Sequence, residues 1–119
     1  MVLGSILQLS RICGLLAGAL ILVAPAQASN AGIGSISAVL AVPNGVVMFN
    51  QSGTRTAVPS CAASNPTRWV IDSTQPGGPA MVSLMLSAYA TNRPVVIFGT
   101  GTCSTIQSDT ETIAYFGTQ

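Results

Sequence analysis

Two cysteines 42 positions apart, Cys61 and Cys103, limit what this chain can fold into more than any other feature. They are the pair that remains once the leader is set aside. Residues 1–28 carry one positive charge at Arg11, an apolar run over 12–24, and the string Pro25-Ala26-Gln27-Ala28 with small residues at both cleavage-specificity positions. That is the pattern of a secretory signal peptide cut after Ala28. The run is too short to cross roughly 30 Å of hydrocarbon as a helix rising about 1.5 Å per residue, so no membrane span is expected after cleavage. Cys13 leaves with the leader, and Arg11 close before it argues against a lipid-anchor motif. A secreted or periplasmic location follows, and in an oxidising compartment Cys61 and Cys103 are expected to pair. Closing that loop stabilises by about 3–4 kcal/mol in the chain-entropy picture. Free thiols serving redox or metal chemistry would need a Cys-x-x-Cys spacing or a second ligand close by, and the sequence has neither.

Residues 29–119 are enough for one domain. Their charge balances: Arg55, Arg68 and Arg93 against Asp72, Asp109 and Glu111, with no lysine and no histidine anywhere in the chain. Nucleic acid is therefore not an expected partner, because phosphate affinity comes from clustered Lys and Arg. Solubility rests on Ser, Thr, Asn and Gln, and a surface with net charge near zero favours self-association, so a homo-oligomer is compatible with the composition.

Residues 29–34 are small and Gly-rich and read as a flexible lead-in. Alternation over 36–42 predicts a strand, Asn44-Gly45 a tight hairpin turn, and 46–50 its returning strand. Residues 51–66 read as a loop, broken by a short strand near 54–58. Arg68-Trp69-Val70-Ile71-Asp72 is a third strand. A helix is expected from Pro76 or Pro79 to Thr91, with Ser73 or Thr74 as cap and an apolar stripe of Met81, Leu84, Met85 and Ala88. Val95-Val96-Ile97-Phe98 reads as a central strand, Gly99 to Cys103 as a turn, and 112–116 as the last strand. Trp69, Leu84, Ile97 and Phe98 are the expected core. The order β-β-β-α-β-β points to an α+β fold, a small five-stranded OB-like barrel with one helix and one disulfide; an open sheet packed on one helix is the alternative.

The usual catalytic constellations cannot be assembled without His or Lys. Asp72, Asp109 and Glu111 are the remaining candidates, as a carboxylate pair for glycoside hydrolysis. The simpler reading is that Asp72 ends a strand and helps cap the helix, while Asp109 and Glu111 solvate a loop and pair with an arginine. Gly99-x-Gly101 has no following helix and no third glycine, so it is a turn and not a phosphate loop. No calcium-loop pattern occurs, and neither metal nor cofactor is expected. Asn50, Arg55, Tyr89 and Tyr115 are the candidate binding residues: the first two lie in a neutral polar loop, and the tyrosines sit near element edges with a polar end to offer. Trp69 alternates with Ile71 and is expected inside; exposed, it would serve as a sugar-stacking platform. Asn50-Gln51-Ser52 is formally a glycosylation sequon.

Cys61-Ala62, Arg68-Trp69-Val70-Ile71-Asp72, Leu86-Ser87-Ala88-Tyr89-Ala90 and Gly99-Thr100-Gly101-Thr102-Cys103 with Asp109-Thr110-Glu111 resemble a family of small secreted proteobacterial proteins, over about residues 33–116. The resemblance implies export and a disulfide-closed domain but no particular activity. The element order is similar to that of the OB-fold B subunits of pentameric bacterial toxins of the subtilase-cytotoxin and pertussis-like class, where a helix joins the third and fourth strands. That similarity is one of topology, and no sugar-contacting residue is carried over. The function expected is a non-catalytic secreted binding module for a glycan or a protein; a structural or envelope-associated role is the alternative, and a carboxylate-dependent hydrolase a distant third.

Overall fold

The computed structural model describes residues 29–119, so the signal-peptide assignment over 1–28 lies outside the described residues. The elements are β1 (Asn30–Gly34), β2 (Ile36–Ala41), β3 (Val46–Gln51), β4 (Arg55–Thr56), a 3-10 turn (Ser60–Ala62), β5 (Arg68–Asp72), α1 (Gly78–Ala90), β6 (Val95–Cys103) and β7 (Glu111–Thr118). The strands form one mixed sheet in the order β2-β3-β5-β7-β6-β1-β4. β5 and β7 run parallel and the other neighbours antiparallel. The fold is thus α+β with one helix, and a disulfide joins Cys61 to Cys103 across a Cα–Cα distance of 6.3 Å.

Seven strands stand where five are expected. One addition is the short β4, inside the loop where a short strand is predicted. The other is β1, which the lead-in over 29–34 forms by pairing Asn30 with Phe98 and Ala31 with Ile97. Composition points to flexibility there because the segment has little apolar surface. It is ordered because its smallness lets another backbone lie across it: Gly32 N–H donates to Thr54 C=O at 3.0 Å, and a Cβ on Gly34 would sit 2.2 Å from the Gly53 nitrogen.

Gln51 fastens this crossing. Its amide nitrogen donates to the Gly32 and Val95 carbonyls at 2.7 and 2.9 Å, and its carbonyl accepts from Gly53 N–H at 2.8 Å. Replacing Gln51 with leucine is expected to cost about 3 kcal/mol in urea denaturation, since three backbone groups lose their partner in a buried place. A loss below about 1 kcal/mol would mean that other groups or water replace those bonds.

The Asn44-Gly45 hairpin forms as expected, with Gly45 at φ 91° and Val42 N–H bonded to Val46 C=O at 3.1 Å. The helix starts later than its polar residues suggest, at Gly78 after Gly77 in the left-handed region, with no side-chain cap. Ser73 is drawn instead to the Gly45 carbonyl at 2.6 Å, and Thr74 to the Asp72 carboxylate. Neither is the cap, and Asp72 organises a turn rather than the helix end.

The main core holds Ile36, Phe49, Trp69, Ile71, Met85, Ala88, Val95, Ile97 and Ile113. Val46, Met48 and Val70 form a smaller cluster. Leu84 and Phe98 are not core residues: they are 39% and 36% exposed. Helix α1 buries Met85 and Ala88 and leaves Leu84 on its flank. On β6, the alternation that buries Val95, Ile97 and Gly99 turns Phe98 outward. Residues 99–103 continue β6 instead of forming a turn, because β7 extends beyond 112–116 and pairs Glu111 with Cys103.

Candidate functional site

Strand parity decides which polar residues reach solvent. On β3, Phe49 and Gln51 are buried, while the alternate residue Asn50 is half-buried beside Met48. Asn50 stands opposite Ser37 on β2 and Arg68 on β5. Between Ser37 and Leu40 the β2–β3 register slips, and Ala38 adopts φ 51°. A left-handed alanine costs about 1–2 kcal/mol, strain of a kind that recurs where a backbone is shaped around a site.

The result is a cleft of about 340 Å³ whose lining includes Ala38, Leu40, Met48, Asn50, Asn65 and Arg68. Its polar wall is held from behind. The Arg68 guanidinium donates to Asp109 and to the Thr110 hydroxyl, both at 2.8 Å, and the Asn65 amide donates to Asp109 at 3.1 Å. The Gln107 amide, and then Arg68 and Thr110, hold the Asp109 carboxyl below the ordinary carboxylate range. Leu40, 53% exposed, supplies an apolar wall. The Asn50 amide makes no hydrogen bond among the described residues, so its donor and acceptor remain available in the cleft.

The second polar constellation faces inward. Glu111 opens β7 opposite Trp69 and shares the buried face with Ile113. Its carboxylate is fully buried, pairs with Arg55 Nη2 at 3.1 Å, and accepts the Ser29 hydroxyl, at 2.8 Å from Oε1. The Arg55 guanidinium lies 3.9 Å over the Trp69 ring and donates to the Pro66 carbonyl at 2.6 Å. Burial pulls its pKa below the ordinary arginine value, opposed by the Glu111 charge. The space is tight: a Cβ on Gly99 would fall 2.0 Å from Glu111 Oε2 and 2.8 Å from the Trp69 ring. Arg55 Nε and Trp69 Nε1 are buried donors without a hydrogen-bond partner among the described residues.

Among the four candidate binding residues, only Asn50 lines this cleft. Arg55, with its side chain 6% exposed, is turned into the core and offers no donor fork to a ligand. Tyr89 is 48% exposed on α1, and Tyr115, 60% exposed, stacks on Phe98 across the β6–β7 pair at 4.6 Å between ring centres. Trp69 is fully buried, which removes it as a sugar-stacking platform. Glu111 is likewise no solvated loop carboxylate; its period-two relation to Ile113 was the available sign of an inward side chain. Ser29 and Gln51 had no comparable signal, because Ser29 meets Glu111 82 positions away and Gln51 donates to carbonyls 19 and 44 positions away. Among the described residues no group of three or more His, Cys, Asp or Glu gathers, and no helix is long and apolar enough to cross a membrane. No protein-family model, curated protein or solved structure matches the chain.

Proposed function

We propose that the protein is a secreted or periplasmic, non-catalytic recognition module whose ligand seat is the Asn50 cleft and whose ligand is a neutral glycan. One observation carries the reading: an amide with no hydrogen-bond partner among the described residues stands in a cleft that sets the apolar Leu40 against a polar wall fixed by Asp109. A sugar ring offers hydroxyls to the amide and C–H faces to the apolar wall, and needs no charge from the protein. The carboxylates favour the same reading. A general acid must keep its proton near neutral pH, whereas Asp72 and Asp109 are held below the ordinary carboxylate range, Asp72 by the Thr74 hydroxyl and backbone N–H. Glu111 is sealed in an ion pair.

The finer reading as a five-stranded OB-like barrel belongs to the same proposal: the seven-stranded sheet is not closed, and the support for a barrel is that β1 and β2, separated only by Ser35, can be taken as one bent strand. Its two halves then pair with β6 on one side and β3 on the other, and α1 joins the third strand of such a barrel to the fourth. Homo-oligomerisation belongs to the same proposal, supported by the balanced charge and by the uncovered Phe98 and Tyr115.

Glycan-array binding by exported, oxidised protein tests the function, and light scattering at several concentrations tests the assembly. Asn50→Ala is expected to weaken a detected glycan at least about tenfold, the effect of losing one or two good hydrogen bonds, with the melting temperature unchanged. Absence of binding across neutral glycans, or full binding by Asn50→Ala, would sink the assignment.

A further inference from the structure

Ser29 is the first residue after the Ala-Gln-Ala string, and it is built into the core. It is fully buried, its carbonyl accepts Gly99 N–H at 2.8 Å, and its hydroxyl donates to the Glu111 carboxylate. The next residue, Asn30, is already in register with Phe98. Ser29 is therefore held on both its backbone and its side chain.

We infer that cleavage after Ala28 completes the core electrostatically: the α-ammonium it creates on Ser29 becomes a second internal cation for the buried Glu111 carboxylate, beside Arg55. This rests on the export reading proposed above. The geometry leaves little freedom. The nitrogen and Oγ of a serine sit on adjacent carbons, roughly 3–4 Å apart in any rotamer. Since Oγ is 2.8 Å from Glu111 Oε1, the nitrogen lies within roughly 7 Å of the carboxylate. Before cleavage that nitrogen is a neutral amide joined to Ala28; afterwards it is a cation in the same place. The carboxylate has room for it. Two oxygens offer about four acceptor positions, and among the described residues the side chains that hydrogen-bond to them are Ser29 and Arg55. Gly99 keeps this pocket open on the sheet side, since any Cβ there would overlap the carboxylate.

The chain makes this directly readable, because without lysine the mature protein has a single amine, that of Ser29. The full-length chain is expressed in an exporting bacterium, the mature product is weighed intact, and its acylation by an amine-reactive ester is timed natively and in denaturant. A mass beginning at Ser29, with native labelling slowed about tenfold or more, is the expected result. Glu111→Gln is expected to bring the native rate back toward the denatured one while near-UV circular dichroism is kept. If that variant does not fold, Ser29→Ala keeps the amine, loses the hydroxyl anchor, and is expected to label faster than wild type. A mass beginning elsewhere overturns the processing step. A mass beginning at Ser29 with native labelling as fast as in denaturant leaves the export reading standing and overturns this inference alone. So does protection that neither substitution lowers.

Discussion

Arg55→Ala is expected to destabilise the protein by about 3–5 kcal/mol, measured by urea denaturation of the oxidised form. The magnitude follows from what is left behind. Glu111 is fully buried, and without the guanidinium 3.1 Å away its charge would keep only the Ser29 hydroxyl and the more distant α-ammonium inferred above, neither of which replaces a direct ion pair in a low-dielectric interior. The Trp69 ring would also lose the planar cation stacked 3.9 Å above it. A domain of this size has only about 5–15 kcal/mol in total, so the variant approaches unfolding at room temperature. Replacing both partners separates two explanations. Arg55→Met with Glu111→Leu removes both charges at similar volume and is expected to cost much less than Arg55→Ala, because desolvation of an ion pair consumes most of its attraction. If the single substitution costs under about 1 kcal/mol, water or the Ser29 α-ammonium stabilises Glu111 in its place and the Arg55–Glu111 pair is not what holds the carboxylate in the core.

Replacing Cys61 and Cys103 together with alanine is expected to lower stability by about 4 kcal/mol and the melting temperature by about 20 °C. The bond closes a loop of 42 positions that contains β5, α1 and nearly all of β6. Its effect lies mainly in the unfolded chain, whose conformations it restricts. The folded structure needs little rearrangement, since Cys61 is exposed in the 3-10 turn and Cys103 is paired with Glu111 in the sheet. Reduction of the wild-type protein should therefore reproduce the loss seen in the double variant, and a reductant should leave the variant unaffected. An equal melting temperature for reduced and oxidised wild type would show that the sheet alone supplies the stability.

The two losses have different origins, and the difference explains what could be read in advance. The disulfide needs no tertiary knowledge: it is expected from the two cysteines that remain when residues 1–28 are read as a leader. The ion pair requires β5 and β7 to run side by side in parallel, which sets Trp69 opposite Glu111, and requires β4 to bring Arg55 over that ring. Nothing local in residues 51–66 marks Arg55 as inward, because its apolar cover comes from another strand. Asn50 is an intermediate case. Period two places it opposite to Phe49, so its outward direction is local, whereas the cleft around it depends on the slipped register at Ala38 and on the loop carrying Asn65.

Taken by itself, the sequence determined the α+β class, the hairpin at Asn44-Gly45, the single helix, the burial of Trp69 and Ile97, and the disulfide. Each of these depends on short-range periodicity, on turn chemistry, or on a count of cysteines. Only the tertiary structure decided that residues 30–34 form a strand, that Gln51 pins it, that Leu84 and Phe98 face outward, and that Ser29, Arg55 and Glu111 meet in the core. Those outcomes rest on contacts between residues far apart in the chain, where small side chains permit a close approach and a polar group is buried because its partner arrives from another strand.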